Sequence, residues 1–175
     1  MSPSIQIALR ELQADDISRI AATDGGAAWK SSTKKWDRYL AEQSQGLRIV
    51  LLAQTIDTVV AYGSLLWTSQ HPPFRKMGIP EIQDLVVAES HRRAGLGARL
   101  IGALEDRARS AGCSQLGIGV GLYQDYGAAQ RLYTRLGYIP DGGGISCHNL
   151  PVPPGATVKI DDDLVLWLVR ELTKA

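Results

Sequence analysis

The sequence is poor in the residues that usually mark a metal site. It has two cysteines, Cys113 and Cys147, which form no CxxC pair and no metal-ligand spacing. Its three histidines, at positions 71, 91 and 148, share no ligand spacing either. We therefore expect no bound metal, and the cysteine usage is typical of a reduced, cytoplasmic protein.

Long hydrophobic runs and an excess of charge of one sign are also missing. The longest apolar runs, IVLLA at 49–53 and LVLWLV at 164–169, are too short to span a bilayer. The first residues, MSPSIQIALRE, lack the basic start and the long apolar stretch of a signal peptide. The formal net charge is +1, far from the basic field that nucleic-acid binding requires. We expect a cytoplasmic protein that binds neither membranes nor nucleic acids.

Size and composition indicate a globular chain with a substantial core. The 175 residues are 45% hydrophobic and 21% charged, and no linker or internal repeat interrupts them. We expect one domain over residues 1–175.

Apolar periodicity predicts the order β-α-α-β-β-β-α-β-α-β. Runs that alternate or are continuously apolar predict strands, whereas a spacing of three to four residues predicts amphipathic helices. The predicted strands are 5–12, 47–54, 58–67, 81–88, 115–122 and 161–172, and the predicted helices are 14–25, 32–46, 95–110 and 126–137. Segments 71–80 and 140–160 are expected to be loops. The strand–helix–strand unit over 81–121 predicts a parallel crossover within a mixed sheet.

The segment SHRRAGLGARL, residues 90–100, places two glycines at the start of a predicted helix. A helix N-terminus carries unpaired N–H groups and partial positive charge, so it is suited to an anion. Glycines let a phosphate approach the backbone, and Arg92 and Arg93 add positive charge. The segment is neither a Walker A loop nor a dinucleotide GxGxxG fingerprint. A tight strand-to-helix turn without a ligand is the alternative.

With these residues the chain resembles the GNAT N-acetyltransferase superfamily. RRAGLGA fits its (Gln/Arg)-x-x-Gly-x-(Gly/Ala) signature, with the strand EIQDLVVA immediately upstream. AAQRLYTRLGY fits its second signature, A-x-x-L-Y-x-x-x-G-(Tyr/Phe). The resemblance implies an α/β fold of mixed α+β type: a central, splayed mixed sheet flanked by helices, as in acyl-CoA N-acyltransferases. It also implies acetyl-CoA as the cosubstrate.

The resemblance assigns cofactor contacts residue by residue. Strand backbone at Leu85, Val86 and Val87 would pair with the pantetheine arm, and one N–H there would face the thioester oxygen. Where the family often has Asn, this chain has Tyr126, which would replace that contact or pack. The pyrophosphate would be bound around Arg92, Arg93, Ala94, Gly95, Leu96, Gly97 and Ala98.

Acetyl transfer needs help for the departing thiolate and a route for the amine proton. By resemblance Tyr133 assists the thiolate, with core packing on its helix as the alternative. Full proton transfer from a phenol to a thiolate is uphill by about 2 kcal/mol, so a hydrogen-bond donor is expected. Glu81 is favoured over Asp84 as a polarising or water-linked base, since strict alternation puts Asp84 on the opposite face. A β-bulge in this strand would upset that count, and either carboxylate could be structural.

The acceptor implied is the primary amine of a small molecule, and a homodimer is compatible with the resemblance. Candidates for a pocket wall are Trp29, Trp36 and Trp67, with core packing as the alternative, and the 140–160 segment is a candidate lid. Two further functions stay open. One is a protein N-terminal or lysine acetyltransferase, and the other is a catalytically silent sensor of acyl-CoA.

Overall fold

The computed structural model describes residues 6–22 and 33–172. All six predicted strands and all four predicted helices are found there, with ends shifted by a few residues. Residues 23–25 and 32 of the first two predicted helices lie outside the described residues. The elements are β1 (Ala8–Glu11), α1 (Asp16–Ala22), α2 (Thr33–Ser44), β2 (Arg48–Gln54), β3 (Val59–Leu66), α3 (Pro72–Met77), β4 (Glu81–Val87), α4 (Leu96–Ser110), β5 (Gln115–Gly121), α5 (Gly127–Arg135), β6 (Ile139–Cys147), β7 (Leu150–Pro151) and β8 (Leu164–Glu171).

The described residues divide into two compact units, the first built from 6–22, 33–66 and 84–104. Its strands follow the order β1-β2-β3-β4, and the β1–β2 and β2–β3 pairs are antiparallel. Trp36 and Tyr39 of α2 pack on Tyr62 of β3, with the Trp36 and Tyr62 ring centroids 4.9 Å apart. Trp36 is only 1% exposed, so it belongs to the core of this unit rather than to a pocket wall.

The second unit is built from 67–83 and 105–172. Its strands follow the order β4-β5-β8-β6-β7, and β4 thus contributes to both units. The β4–β5 pair is parallel, with Glu81 opposite Gly117 and Ile82 opposite Ile118, which confirms the predicted crossover. The β5–β8, β6–β8 and β6–β7 pairs are antiparallel. Among the described residues, no helix is both long enough and apolar enough to cross a membrane.

Three glycines of β5 leave room for aromatic rings and a valine. A Cβ on Gly117 would lie 2.1 Å from the Phe74 ring, and one on Gly121 would lie 2.4 Å from the Tyr126 ring. A Cβ on Gly119 would lie 2.9 Å from Val165. The close approach that these glycines permit is therefore made by side chains of the same unit.

The expectation of a loop over 71–80 is wrong, because α3 occupies Pro72–Met77. Both prolines stand in its first turn, where a missing N–H has no helical partner to lose. Gly78 ends the helix at φ +69, in the left-handed region that favours glycine. Prolines and a glycine that seemed to break structure here start and stop a short helix.

The expectation of an irregular stretch over 140–160 is wrong for its first part, since β6 covers Ile139–Cys147 and β7 covers Leu150–Pro151, and is confirmed for residues 152–160. The register of β6 against β8 shifts between Pro140 and Ile145. Gly142 at φ +87 and Gly144 at φ +73 accommodate that irregularity. A bulged strand hides its alternation because the inserted residues interrupt the period of two.

Candidate active site

The turn before α4 has the backbone conformation of an anion-binding site. Arg93 and Gly95 adopt φ values of +63° and +78°. The N–H of Arg99 donates to the carbonyl of Gly95 at 3.0 Å, so the helical ladder begins there. The N–H groups of residues 95–98 precede the first one that the helix itself can pair. Alternating left-handed residues followed by a helix N-terminus make a concave set of donors for an anion.

The conformation of Gly95, rather than crowding by protein atoms, favours a glycine there. A Cβ at Gly95 would meet nothing within 4 Å. Arg93 holds a similar conformation with a side chain, which costs about 1 kcal/mol. Both residues are exposed to solvent, whereas Leu96, the first helical residue, is buried and fixes the helix end. The turn is thus strained and exposed to solvent, and the buried Leu96 side chain anchors it at the start of α4.

The predicted cofactor strand lies at the end of β4 and leads into this turn. Leu85, Val86 and Val87 are half-buried. The carbonyl of Val87 accepts a hydrogen bond from Arg92 Nε at 3.3 Å. Asp84, immediately before them, has φ +52, so β4 is irregular at this residue and simple alternation fails there.

The side chain of Asp84 is held by residues that the sequence analysis did not select. Lys35 Nζ lies 3.0 Å from Asp84 Oδ2, and the Tyr39 hydroxyl donates to the same oxygen. Lys35 Nζ also donates to the Tyr62 hydroxyl at 3.0 Å. Positions 35 and 39 are one helical turn apart on α2, which is the only signal the sequence offers for this cluster.

Glu81 is enclosed by hydrogen-bond donors. It is 3% exposed. Its carboxylate accepts from Ser69 Oγ at 2.6 Å, from the Gln70 N–H at 3.0 Å and from Gln83 Nε2 at 2.7 Å. Ser69 Oγ accepts in turn from the His71 N–H at 3.0 Å. The buried charge therefore fixes both the Gln83 amide and the chain that enters α3.

His71 belongs to a buried aromatic cluster. Its ring stacks on Trp167 with centroids 4.4 Å apart, and its Nε2 lies 3.1 Å from Asp141 Oδ2. Asp141 Oδ1 also accepts from the Gly143 N–H at 2.8 Å. Both residues lie in β6, so the start of the 140–160 segment belongs to a strand. Within 6–22 and 33–172, no group of three or more His, Cys, Asp or Glu side chains is placed to hold a metal ion.

Tyr133 and Tyr126 lie in and just before α5. Tyr133 is 5% exposed, and burial raises the pKa of its phenol well above the usual value. Tyr126 covers Gly121 with its ring and donates its hydroxyl to Asp162 at 3.0 Å. Burial, followed by the bond to Asp162, raises the pKa of Tyr126 as well. Both phenols therefore stay protonated at neutral pH. Trp29 lies outside the described residues.

The sequence model of the acetyltransferase (GNAT) family matches residues 9–138, which include both glycine-bearing signatures. The chain belongs to the GNAT acetyltransferase family. Acetyl-CoA is the cosubstrate of GNAT acetyltransferases. No curated protein matches the sequence.

Solved GNAT structures share this fold at low sequence identity. A GNAT-family structure from Desulfovibrio desulfuricans is 16% identical with a TM-score of 0.71, covering 96% of this chain and 100% of its own. YncA of Salmonella typhimurium, solved with acetyl-CoA, is 21% identical with a TM-score of 0.69 and coverages of 97% and 96%. A ribosomal-protein-alanine N-acetyltransferase from Brucella melitensis is 19% identical with a TM-score of 0.68 and coverages of 94% and 99%. The likeness confirms the expected GNAT fold class, a mixed, splayed sheet flanked by helices.

Proposed function

We propose that this GNAT protein transfers the acetyl group of acetyl-CoA to a primary amine of a small molecule. The observation that carries the proposal is the turn before α4, where Arg93 and Gly95 are left-handed and the helical ladder starts at Gly95. Such a turn presents several N–H groups to one anion, and a pyrophosphate suits it in size and charge. The turn lies inside the segment that matches the family.

The cofactor would be held by backbone more than by side chains. The pantetheine arm would pair with Leu85, Val86 and Val87, and Tyr126 would stand where many relatives have an asparagine. The bond from Arg92 to the Val87 carbonyl supports a fixed path from strand to turn. The pyrophosphate would be bound by the N–H groups and guanidinium groups of Arg92, Arg93, Ala94, Gly95, Leu96, Gly97 and Ala98.

Tyr133 would serve the leaving group as a hydrogen-bond donor. An ordinary phenol is already too weak an acid to protonate a thiolate, by about 2 kcal/mol. Burial raises the pKa of Tyr133 further, which widens that gap. A buried, neutral O–H stabilises the thiolate by donating to it without surrendering the proton.

The two carboxylates would act differently on the acceptor side. The Glu81 oxygens accept hydrogen bonds from Ser69, Gln70 and Gln83. These bonds favour a polarising and positioning role over direct proton abstraction. Asp84 keeps 39% of its side chain exposed, so it is the carboxylate that an incoming ammonium can reach. Direct abstraction by either is opposed by about 8 kcal/mol of pKa mismatch, so the amine proton would leave through water.

A small acceptor is favoured because the net charge of +1 provides no broad basic or acidic surface for a macromolecule. The test is release of CoA thiol from acetyl-CoA over a panel of polyamines, amino acids, aminated drugs and peptides with free N-termini. Transfer to a small amine is the expected result, with Tyr133→Phe as the inactive control. Transfer to peptides alone would overturn the small-molecule acceptor, and a thermal shift with acetyl-CoA but no transfer would indicate a sensor.

A further inference from the structure

We propose that Lys35 is an acetylation site of this protein, modified within the same chain by its own acetyl-CoA. The inference rests on the proposed function, since it needs acetyl-CoA bound along β4. It differs from that function in its acceptor, which is a side chain of the protein itself.

The Lys35 amine is held by a carboxylate and a phenol. Nζ lies 3.0 Å from Asp84 Oδ2 and 3.0 Å from the Tyr62 hydroxyl. These contacts fix the nitrogen between α2 and β4, whereas a surface lysine samples many rotamers. Fixing the nucleophile removes much of the orientational cost of attack.

Aromatic rings complete the surroundings of this amine. Nζ is 5.0 Å from the centroid of Tyr62, 5.3 Å from that of Tyr39 and 5.7 Å from that of Trp36. All three rings are within the range of a cation–π interaction. The Lys35 side chain keeps 20% of its surface exposed, so it is enclosed without being sealed off. The Lys35 amine thus lies in a cage formed by Asp84, Tyr39, Tyr62 and Trp36.

The position of the cage along β4 links it to the acyl group. Asp84 directly precedes Leu85, Val86 and Val87, the backbone proposed to pair with the pantetheine arm. The φ of +52° at Asp84 marks a break in β4 at the residue that binds Lys35. The residue that binds the amine thus directly precedes the strand segment to which the thioester end would be bound.

The reaction balances without any further reagent. The Lys35 nitrogen, once neutral, forms a C–N bond to the thioester carbonyl carbon, and the C–S bond of acetyl-CoA breaks. The electron pair leaves with sulfur, which ends as the CoA thiol after taking one proton, and a second proton is released to water. The product is a neutral amide, so Asp84 loses its cationic partner and the cage loses its charge.

Charged and titratable groups of α2, β2, β3 and β4 surround the amine. Burial together with the Asp84 charge raises the pKa of both Tyr39 and Tyr62, which therefore stay neutral beside it. Arg38 and Arg48 lie over the Tyr39 ring at 5.4 and 4.2 Å. An alkyl ammonium must lose a proton before its nitrogen can attack a thioester, so the acetylation rate should rise with pH.

The test incubates the whole protein with acetyl-CoA and follows the mass of acetylated peptides at several pH values. Lys34, exposed and next in sequence, is the internal control for non-enzymatic acetylation. We expect Lys35 to be acetylated at least about tenfold faster than Lys34, a gap of about 1.4 kcal/mol in activation free energy. The rate constant should not change when the protein is diluted, and Asp84→Asn and heat-denatured protein should lose the preference.

Two results would overturn the inference in distinguishable ways. If external amines are acetylated while Lys35 reacts no faster than Lys34, the proposed function stands and the modification site is wrong. If the protein gives no thermal shift with acetyl-CoA and acetylates no amine, the proposed function fails and this inference fails with it. Lys34→Arg is the matched variant, and it should leave acetylation of Lys35 unchanged.

Discussion

Tyr126 occupies the space that a side chain at Gly121 would fill. A Cβ on Gly121 would lie 2.4 Å from Tyr126 Cδ2 and 2.5 Å from its Cε2. The ring is tethered by its hydroxyl to Asp162 at 3.0 Å and meets the Tyr123 ring at 5.0 Å, so it cannot simply swing away. Tyr126 is thus matched to a glycine on β5.

Gly121→Ala should therefore destabilise the fold through Tyr126. Overpacking at such a contact costs about 2 kcal/mol, which corresponds to a fall in Tm of about 6 °C at this size. In a Tyr126→Asn background the same change should cost much less, because the clashing ring is gone. Thermal unfolding of the four proteins in this cycle measures the coupling. Equal effects in both backgrounds would disprove the coupling. Gly102→Ala is the control: its Cβ would meet nothing within 4 Å, and the substitution should stabilise α4 by about 1 kcal/mol.

Gly95→Ala should weaken acetyl-CoA binding, whereas Gly112→Ala should not. The two glycines flank α4, have φ values of +78° and +82°, and would place a Cβ in open space. Each substitution should cost about 1 kcal/mol of stability from backbone strain alone. Only Gly95 lies in the proposed anion turn, so only its variant should lose affinity, by about tenfold in calorimetric titration. Equal affinities in the two variants would show that the turn does not belong to the cofactor site.

Local pattern predicted the six strands and four helices because each of these segments is either amphipathic or continuously apolar in sequence. The same reasoning missed α3, whose Pro72 and Pro73 resemble loop residues although a first helical turn accepts them. It missed β6 because Gly142 and Gly144 interrupt its alternation. Both errors come from reading proline and glycine as breakers without knowing their place in the element.

Only part of the candidate site could be predicted from the sequence. The turn before α4 and Tyr133 could be found because their signatures are contiguous in sequence. The cluster on Asp84 could not, since Lys35, Tyr39 and Tyr62 come from two other elements and meet only after folding. The left-handed conformation of Asp84 was equally hidden, because a non-glycine bulge residue carries no reliable sequence mark.

Tyr133→Phe should lower turnover at least about tenfold while acetyl-CoA binding survives, because only the hydrogen bond to the thiolate is lost. Burial holds the pKa of Tyr133 above the working range, so its ionisation should not appear in the pH–rate profile between about 6 and 10. Turnover is followed by thiol release and binding by calorimetry. Tyr138→Phe, which removes a hydroxyl bonded to Glu105 at 3.1 Å, is the matched control and should change stability rather than turnover.

Glu81→Gln and Asp84→Asn should have different effects. In Glu81→Gln the new NH2 group faces hydrogen-bond donors and cannot accept from them. Buried polar groups are then left unpaired, at a cost of about 2 kcal/mol in stability. Asp84→Asn removes a partly exposed charge and should cost less stability but change the pH–rate profile of amine acetylation. Thermal unfolding and pH–rate profiles of both variants separate the two roles. A pH–rate profile for Asp84→Asn that superimposes on that of wild type would show that Asp84 takes no part in moving the amine proton.

Asp16→Asn should destabilise the first unit in a pH-dependent way. Both Asp16 oxygens accept from the Arg10 guanidinium at 2.6 Å, and Oδ2 also accepts from the Gln13 N–H at 2.8 Å. The bond from Arg10 lowers the pKa of Asp16 in the folded state.

A folded pKa below the unfolded value means that the stabilisation is complete above about pH 4 and is lost as pH falls through the folded pKa. Asp16→Asn should therefore cost about 2 kcal/mol at neutral pH, and the gap to wild type should narrow in acid. Asp15→Asn removes the same formal charge from an exposed neighbour and should change stability by less than about 0.5 kcal/mol. Urea unfolding at pH 7 and pH 3 measures both differences. A gap for Asp16→Asn that is as large at pH 3 as at pH 7 would show that Asp16 stabilises the unit without its charge.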